Sequence, residues 1–578
     1  MNSRAFFNLI HKLVLIVYIT LLFLCTFNSR KEYLGVVNNK GYQWCTGSST
    51  VFSRNWYREG GFRSLFTFME LPKSIEASSP QKRRLYISYP PGTIIPLYFI
   101  SKLITREPSV RMVIVYNMAH QFLIAFFLAL TVYYLCLQLG LTILYSYLFS
   151  FIPPLFLFFL RGPHYFFMMV FFSDAAVLLP YAAYLFFEVY KWGLEEKSKN
   201  KALLMVQAIQ GILIFYGTLT DWLFIFFVIV LYFLKIVNSS IRTCTLKQFI
   251  KTSFVFVLPV LLAILLFVVQ LTKYNLWQLL YGRFKERAAI GGASCEINVN
   301  LFKGLLLGRF FEQYGYLAIV VIAFSAILMG AIILYTIFKK HIHKAIDKNL
   351  AKMGFIGALS LFPCFMQIWF LKCHTVCHTF SMLKFVIPLA ICPFVLIPLV
   401  IIVTAQHFAF FSRIRKTLIN SILIVNFFLL YFFIRAGHDY SFPFNYLFPK
   451  NDTFFKRIGE FVETKTNYND VVFSPNYEIA ALPPVPICYS MKRVYKFNSV
   501  AEIENKLDSL AIDNPYTFNI LVNKNMDLEQ MKNLNNLISI AQQKYQNEDF
   551  ILYKIDHREV ALFLRNRFPL SAKPNFKF

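Results

Sequence analysis

Ser48-Ser-Thr-Val-Phe-Ser-Arg-Asn-Trp-Tyr-Arg-Glu59-Gly-Gly-Phe62, with the downstream run Tyr86-Ile-Ser-Tyr89-Pro90-Pro91-Gly92-Thr93, decides how this chain is read. A serine N-cap signal precedes apolar Val51, Phe52, Trp56 and Tyr57, which predicts an amphipathic helix over 48–58 lying at a membrane interface. Gly60-Gly61 ends that helix, so Glu59 is held at a helix end close to the headgroup plane. Tyr-Pro-Pro-Gly forces an extended chain and then a tight turn, with a second apolar segment at 94–104. All of this lies in a loop, 28–111, between two apolar runs.

The rest of the chain explains why that loop matters. The 578 residues are 57% apolar, 18% aromatic and 15% charged, with mean hydropathy +0.53. Soluble domains carry roughly 25% charge, so a soluble globular enzyme, a disordered chain and a disulfide scaffold are excluded. A polytopic membrane protein remains. The formal net charge is +28, from 58 Lys and Arg against 30 Asp and Glu. Basic cytoplasmic loops explain this more simply than nucleic acid does, and no nucleic-acid partner is expected. The ten cysteines are sparse and mostly sit in apolar runs, as small hydrophobes.

Charge is unevenly spread. From Lys450 onward there are 17 basic and 15 acidic residues, and the preceding 449 residues hold 41 and 15. The expected domains are therefore a transmembrane part, 1–435, and a small water-soluble part, 436–578. Stretches near the roughly 18–20 residues needed to cross a bilayer occur eleven times, at 8–27, 112–137, 143–160, 165–190, 203–217, 222–236, 252–271, 316–338, 353–371, 382–404 and 417–435. The fifth and sixth are short and read as a hairpin about Thr218-Leu-Thr-Asp221. The first reads as a signal anchor.

With eleven spans, four basic clusters fall on the side of the N-terminus: Lys191–Lys201, Arg242–Lys251, Lys339–Lys352 and Arg413–Lys416. The positive-inside rule then places the N-terminus in the cytoplasm and the tail outside, in a multi-pass protein of the cell membrane. The loops 28–111 and 272–315, and the turns at Arg161–His164, Thr218–Trp222 and Lys372–His378, all fall on the outer face. There is no inverted repeat of broken helices, and no Walker A, GxGxxG or GxSxG motif.

The loop 44–93, together with eleven or so spans and an outward tail, resembles the GT-C superfamily of polytopic glycosyltransferases. That superfamily includes the protein O-mannosyltransferases, the lipid A aminoarabinose transferases and the C-mannosyltransferases. The resemblance implies an α-helical, GT-C-like membrane fold of about 11 transmembrane helices carrying a small extracytoplasmic α/β or α+β domain. It also implies an activity: transfer of a sugar from a polyprenyl-phosphate donor to an acceptor on the outer face, with the lipid-linked sugar and membrane lipid as partners. No cofactor is firmly implied, and a divalent metal is compatible with the reaction. Many members carry an Asp-Glu pair where this chain has Cys45-Thr-Gly-Ser-Ser-Thr50, without an acid. Glu59-Gly60-Gly61 is similar to the Glu-x-Gly pattern of the C-mannosyltransferases, which implies a catalytic role for Glu59. The alternatives are a transporter or flippase of lipid-linked envelope precursors, and a non-catalytic membrane assembly protein.

A base to take the acceptor's proton and cations for the leaving phosphate are the groups to seek. Glu59 reads as that base or as a solvated helix-end residue pairing with Arg58 or Arg63. Asp221 reads as a second catalytic acid or as the N-cap of the next helix. Asp174, in Phe171-Phe-Ser-Asp174, lies deeper and is a lesser candidate. Tyr89, Pro90, Pro91 and Gly92 are expected to shape the substrate site. Arg283, Lys285, Arg287, Arg309, Lys372 and Lys384 are the cations expected to face the phosphate, alongside His374 and His378 of Cys373-His-Thr-Val-Cys377-His378. That last run lacks CxxC spacing and a distant ligand pair, so no metal site is assigned to it. A disulfide between Cys373 and Cys377 is disfavoured on a helix. Gly291-Gly292 and Gly304–Gly308 suit a lid at 272–315 or plain loop flexibility. The tail alternates helices (452–464, 499–510, 527–545) with strands (470–474, 494–497, 517–522, 550–555).

Overall fold

The computed structural model describes residues 3–27, 31–38, 41–73, 83–196, 198–238, 246–290, 299–338, 345–394, 453–467, 470–475, 485–500, 502–503, 517–526, 534–556, 558–560 and 562–563. The expected span 417–435, the basic cluster Arg413–Lys416 and Gly291-Gly292 lie outside these. The chain divides into two compact units. Unit 1 comprises Met1–Glu32, Ile87–Thr93 and Ile114–Phe444, and unit 2 comprises Tyr33–Tyr86, Ile94–Val113 and Asn445–Phe578.

Unit 1 is helical. Among the described residues, five helical stretches are long and apolar enough to cross a membrane: Ile10–Phe27, Val110–Gln138, Asn200–Thr220, Phe254–Lys273 and Ala351–Phe370. Two bent pairs raise the number to as many as seven. Ile143–Phe159 with Arg161–Met169 bends by 63°, and Phe302–Tyr314 with Ala318–Leu334 by 114°. Leu223–Val237 and Thr379–Phe394 are shorter apolar helices. The expected continuous span at 165–190 is instead broken into Arg161–Met169, Ser173–Ala176 and Leu178–Glu195. The chain is fully extended at Phe172 (φ −158°, ψ −169°) just before the polar pair Ser173-Asp174. The expected turn at Arg161–His164 is the first turn of a helix, and the loop at 272–315 is mostly two helices, Trp277–Ala288 and Val299–Tyr314.

Proline shapes the helix Ala345–Phe370 from inside. Pro363 has no N–H to give the carbonyl four residues earlier, and at membrane depth a stranded carbonyl needs another donor. Tyr181 supplies it, its hydroxyl donating to Leu359 O and Ser360 O at 2.8 Å each. The same helix carries Gln367 one turn further on. The following turn, Thr379–Phe385, is pinned by Tyr314, whose hydroxyl donates to Met382 O (2.9 Å) and Leu383 O (3.0 Å).

In unit 2 the expected helix at 48–58 runs from Trp44 to Glu59, starting earlier than the serine signal. It is largely buried rather than laid on an interface; Cys45, Phe52 and Trp56 are all core side chains. Gly60 ends it at φ +89°, with its N–H returned to Trp56 O at 2.9 Å, a conformation that glycine adopts without strain. A two-stranded hairpin follows, β1 (Phe68–Met69) with β2 (Leu85–Tyr86). The C-terminal segments form a mixed five-stranded sheet from β3 (Val471–Ser474), β4 (Val494–Lys496), β5 (Thr517–Asn523), β6 (Gln543–Gln546) and β7 (Phe550–Asp556), in the order β4-β3-β5-β7-β6. β3 is parallel to β4 and β5, and β7 is antiparallel to β5 and β6. Phe473, Phe518, Ile520, Leu537 and Ile555 fill one face; Ile458, Val462 and Leu552 pack on the other. Each such side chain contributes about 1.5–3 kcal/mol by leaving water.

The long helix expected over 527–545 is not what forms at its end. Residues 534–538 are helical, and Gln543–Gln546 is a strand paired with β7. The cause is the turn that follows: Asn547 Oδ1 accepts the backbone N–H groups of Asp549 (3.0 Å) and Phe550 (2.8 Å), so the side chain closes a hairpin. The expected helix at 499–510 lies mostly outside the described residues.

An ion network ties three segments of unit 2 together. Arg54, nearly buried, reaches Glu107 (2.8 Å) and Glu463 (2.5 Å) and donates to Cys488 O (2.9 Å) and Tyr489 O (3.2 Å). Arg58 reaches the same two carboxylates. Burial opposes ionisation of Glu107, but the hydrogen bonds and charges of Arg58 and Arg54 outweigh it and hold its carboxyl below the ordinary glutamate range. A carboxyl lowered by folding stabilises the fold above its unfolded value and loses that contribution as pH falls. Unit 2 is therefore expected to lose stability on acidification through pH 5 to 3. Glu107→Gln should flatten that dependence in thermal melts followed by the sheet's circular dichroism.

Candidate active site

Unit 1 buries three charges in contact. Lys384, in the turn Thr379–Phe385, places Nζ 2.8 Å from Asp174 Oδ1, and 3.4 and 3.5 Å from the two oxygens of Asp221. All three side chains are at most 3% exposed. Gln367 completes the group: its Nε2 donates to Asp221 Oδ1 at 2.8 Å and its Oε1 accepts from Lys384 at 2.7 Å. The backbone N–H of Leu223 also donates to Asp221 Oδ1, at 2.8 Å. Asp221 thus caps the helix Leu223–Asn238 while facing an ammonium ion, so its capping and ionic roles coexist. Isolated charges this deep are very costly, and pairing with hydrogen bonds is what makes them tolerable.

The Tyr-Pro-Pro-Gly turn abuts this group. A Cβ on Gly92 would lie 2.6 Å from the Leu219 carbonyl carbon and oxygen and 2.8 Å from Thr220 Oγ1. Only glycine lets the turn lie against the backbone that leads into Asp221. Trp222 fastens the other side, its Nε1–H donating to Ser88 O at 2.8 Å. Pro90 is buried, and Pro91 opens the 3-10 turn Pro91–Ile94. The Tyr89 hydroxyl meets His374 Nε2 at 2.8 Å. The guanidinium of Arg287 lies 4.8 Å from the Tyr89 ring centre, and the rings of His374 and His378 are 4.7 Å apart.

Burial, then the charges of Arg287, His378 and Lys384, push His374 well below the usual histidine range. Burial with Arg287 and Arg309 brings His378 to about 4. Both rings are therefore neutral near pH 7 and serve as hydrogen-bonding groups. Cys373 and Cys377 place their sulfurs 3.9 Å apart, without a disulfide bond between them.

Other expected residues have ion-pair partners of their own. Arg283 pairs with Glu286 on its own helix at 2.9 Å, and Arg309 with Glu312 at 3.5 Å. Glu59 belongs to unit 2. Its partner is neither Arg58 nor Arg63 but Arg83, a fully buried guanidinium that donates to both carboxylate oxygens, at 2.8 and 2.5 Å. Such a fork is the geometry by which arginine fixes a carboxylate.

Gln367 did not stand among the expected site residues, whereas Arg287, one of the cations expected to face the phosphate, lies over the Tyr89 ring. A lone amide in the apolar run Pro363-Cys-Phe-Met-Gln367 is the available signal for the first. Arg287 was one of several cations on an amphipathic stretch, and nothing in its spacing set it apart.

Among the described residues no three His, Cys, Asp or Glu side chains converge as a metal site. Asp174 and Asp221 both contact the Lys384 ammonium, which already supplies the positive charge a divalent ion would bring. These residues do not fit a metal.

The chain shares its fold with a solved oligosaccharyltransferase. It superposes on the apo oligosaccharyltransferase of Archaeoglobus fulgidus with a TM-score of 0.51 at 9% identity, over 89% of this chain and 69% of that one. ArnT from Cupriavidus metallidurans in the apo state aligns over 94% of this chain and 97% of its own, at 11% identity and a TM-score of 0.48. No protein-family profile matches the sequence, and no curated protein matches it.

Gly92→Ala should displace the turn from Leu219 and Thr220 while leaving the helices formed. The expected result is an unchanged far-ultraviolet spectrum with a loss of several degrees in Tm. An unshifted melting point would remove the close approach from this account.

Proposed function

We propose that this chain is an integral membrane glycosyltransferase that moves a sugar from a polyprenyl-phosphate donor to an acceptor on the outer face of the membrane. The observation that carries the reading is the buried Asp174–Lys384–Asp221 group, whose Lys384 charge reaches His374, the partner of Tyr89, with Arg287 over the Tyr89 ring, on a GT-C fold. In this reading about eleven helices span the bilayer, the N-terminus is cytoplasmic and the C-terminal sheet is extracytoplasmic. The positive-inside pattern of the loops supports that orientation.

The chemistry needs two things at once. The acceptor's O–H or N–H attacks the anomeric carbon, the bond from that carbon to the phosphate oxygen breaks, and the polyprenyl phosphate leaves as an anion. Asp221 receives the proton on Oδ2, because Oδ1 already accepts from Gln367 and Leu223. Lys384 and Arg287 stabilise the charge developing on the phosphate, with neutral His374 and His378 as donors. Lys384 does the electrostatic work that a divalent cation would do. Asp174 holds Lys384 in place. Asp221 is closed to solvent, so donor entry must move the turn at 87–93 or that at 379–385. Glu59, with both oxygens taken by Arg83, shapes the end of its helix instead of accepting a proton; Arg283 and Arg309 guide the headgroup from the helices that carry them.

Buried ionisable groups among spans would also serve a carrier of lipid-linked material. Detergent micelles have no sides, so transfer of labelled sugar by the purified protein in micelles is evidence for an enzyme only. In that assay, with a polyprenyl-phosphate sugar panel as donor, Asp221→Asn and Lys384→Met should each lower kcat by about 10²-fold or more. Glu59→Gln should stay within a few-fold of the parent, and EDTA should leave the rate unchanged. Full activity of Asp221→Asn would overturn the assignment of the base. No transfer with any donor of the panel would favour the carrier.

The neutral histidines set a pH expectation. Their burial favours the unprotonated form, so protonation on unfolding destabilises unit 1 as pH falls from about 6.5 toward 4. The pH–rate profile should show no limb near 6.5 from either ring. His378→Asn should weaken the acid loss of stability.

A further inference from the structure

Unit 2 contains a cavity of about 630 Å³ that the transfer chemistry does not use. It lies at the C-terminal end of the helix Trp44–Glu59, between the segment that runs on to Lys73, the end of the helix Phe454–Lys465, and Ser490–Lys492. Four cations line it, Arg58, Arg63, Lys73 and Lys492, against two carboxylates, Glu59 and Glu463. Both carboxylates are already bound by guanidinium groups, Glu59 by Arg83 from outside the lining, and Glu463 by Arg54 from outside it and by the lining's own Arg58. A concave wall with an excess of one sign concentrates ions of the other, so the cavity favours an anion.

A second observation refines the ligand. Asn55 lines the same cavity and is 1% exposed. Its Nδ2 donates to Met69 O (2.9 Å) and Leu71 O (3.2 Å), which fixes the amide's orientation. Its Oδ1 is buried with no hydrogen-bond partner among the described residues. Buried polar atoms in folded proteins nearly always have a partner, and an oriented acceptor at a cavity wall calls for a donor on the occupant. Met69 and Pro72 add an apolar surface, which suits the C–H face of a sugar ring.

We propose that this cavity is a binding site for an anionic, hydroxyl-bearing sugar group. Its phosphate or carboxylate rests on the Arg63, Lys73 and Lys492 side, and a hydroxyl donates to Asn55 Oδ1. The charge and the unmet amide oxygen carry this irrespective of whether unit 1 transfers a sugar.

Equilibrium dialysis on the full-length protein in detergent micelles tests it, with glucose 6-phosphate, glucuronate, glucose and inorganic phosphate as probes. One of the two anionic sugars is expected to bind at least tenfold more tightly than glucose and than inorganic phosphate, and which of them does so identifies the acidic group. The exposed pair Arg63→Gln and Lys73→Gln, together, should weaken that binding at least tenfold without affecting folding. Asn55→Leu should bring the sugar down to the level of inorganic phosphate. Undiminished binding by the double variant, inorganic phosphate binding as tightly as either sugar, or no binding of any probe would each overturn the proposal.

Discussion

Lys384, Asp174 and Asp221 can leave water only together. An ammonium ion or a carboxylate moved alone into a low-dielectric interior pays several kcal/mol even after relaxation. With Nζ 2.8 Å from Asp174 and within 3.5 Å of both Asp221 oxygens, and with Gln367 bridging, the attraction offsets that penalty. Removing one member leaves an uncompensated buried charge, typically a loss of about 3–5 kcal/mol. The segments that supply the group come from three distant parts of the sequence. This makes the cluster a constraint on how unit 1 packs: the break at 170–177, the turn after Thr220 and the turn at 379–385 must all converge.

The surrounding irregularities follow from that requirement. Helices satisfy their own backbone in lipid, so every interruption has to be covered by a neighbour. The carbonyl freed by Pro363 goes to Tyr181, the turn carrying Lys384 is held by Tyr314, and Trp222 holds Ser88. Gly92 allows backbone to lie on backbone beside Asp221. The Lys384 ammonium ion, in contact with both Asp174 and Asp221, is a cation that the chain itself fixes in place.

Unit 2 shows the same economy with different materials. The helix Trp44–Glu59 has Arg54 and Arg58 at one side, paired to Glu107 and Glu463, and Glu59 at its end, forked by Arg83. Glu59 in sequence is an acid before two glycines, the pattern that suggested a catalytic residue. In the fold it is one half of a bidentate ion pair. Asp221, which read equally as a cap, is a cap and also a partner of Lys384, because its two oxygens face different ways.

Hydropathy and composition alone determined that unit 1 is a bundle of membrane-length helices. They also placed a turn at Tyr89–Gly92, positioned most of the tail's strands, and ended the first loop's helix at Gly60. Those are local properties: apolar run length, the φ range of glycine, the fixed φ of proline. The tertiary structure alone decided which acid meets which base. Lys384 lies 163 residues from Asp221, and Arg83 is 24 residues from Glu59; no periodicity encodes such distances. Tertiary packing also broke the run at 165–190 around Asp174 and turned the end of a predicted helix into β6. At Asp174 a polar side chain found a partner, Lys384, that only the folded chain could bring within reach; at β6 the local Asn547 turn closed the strand onto β7.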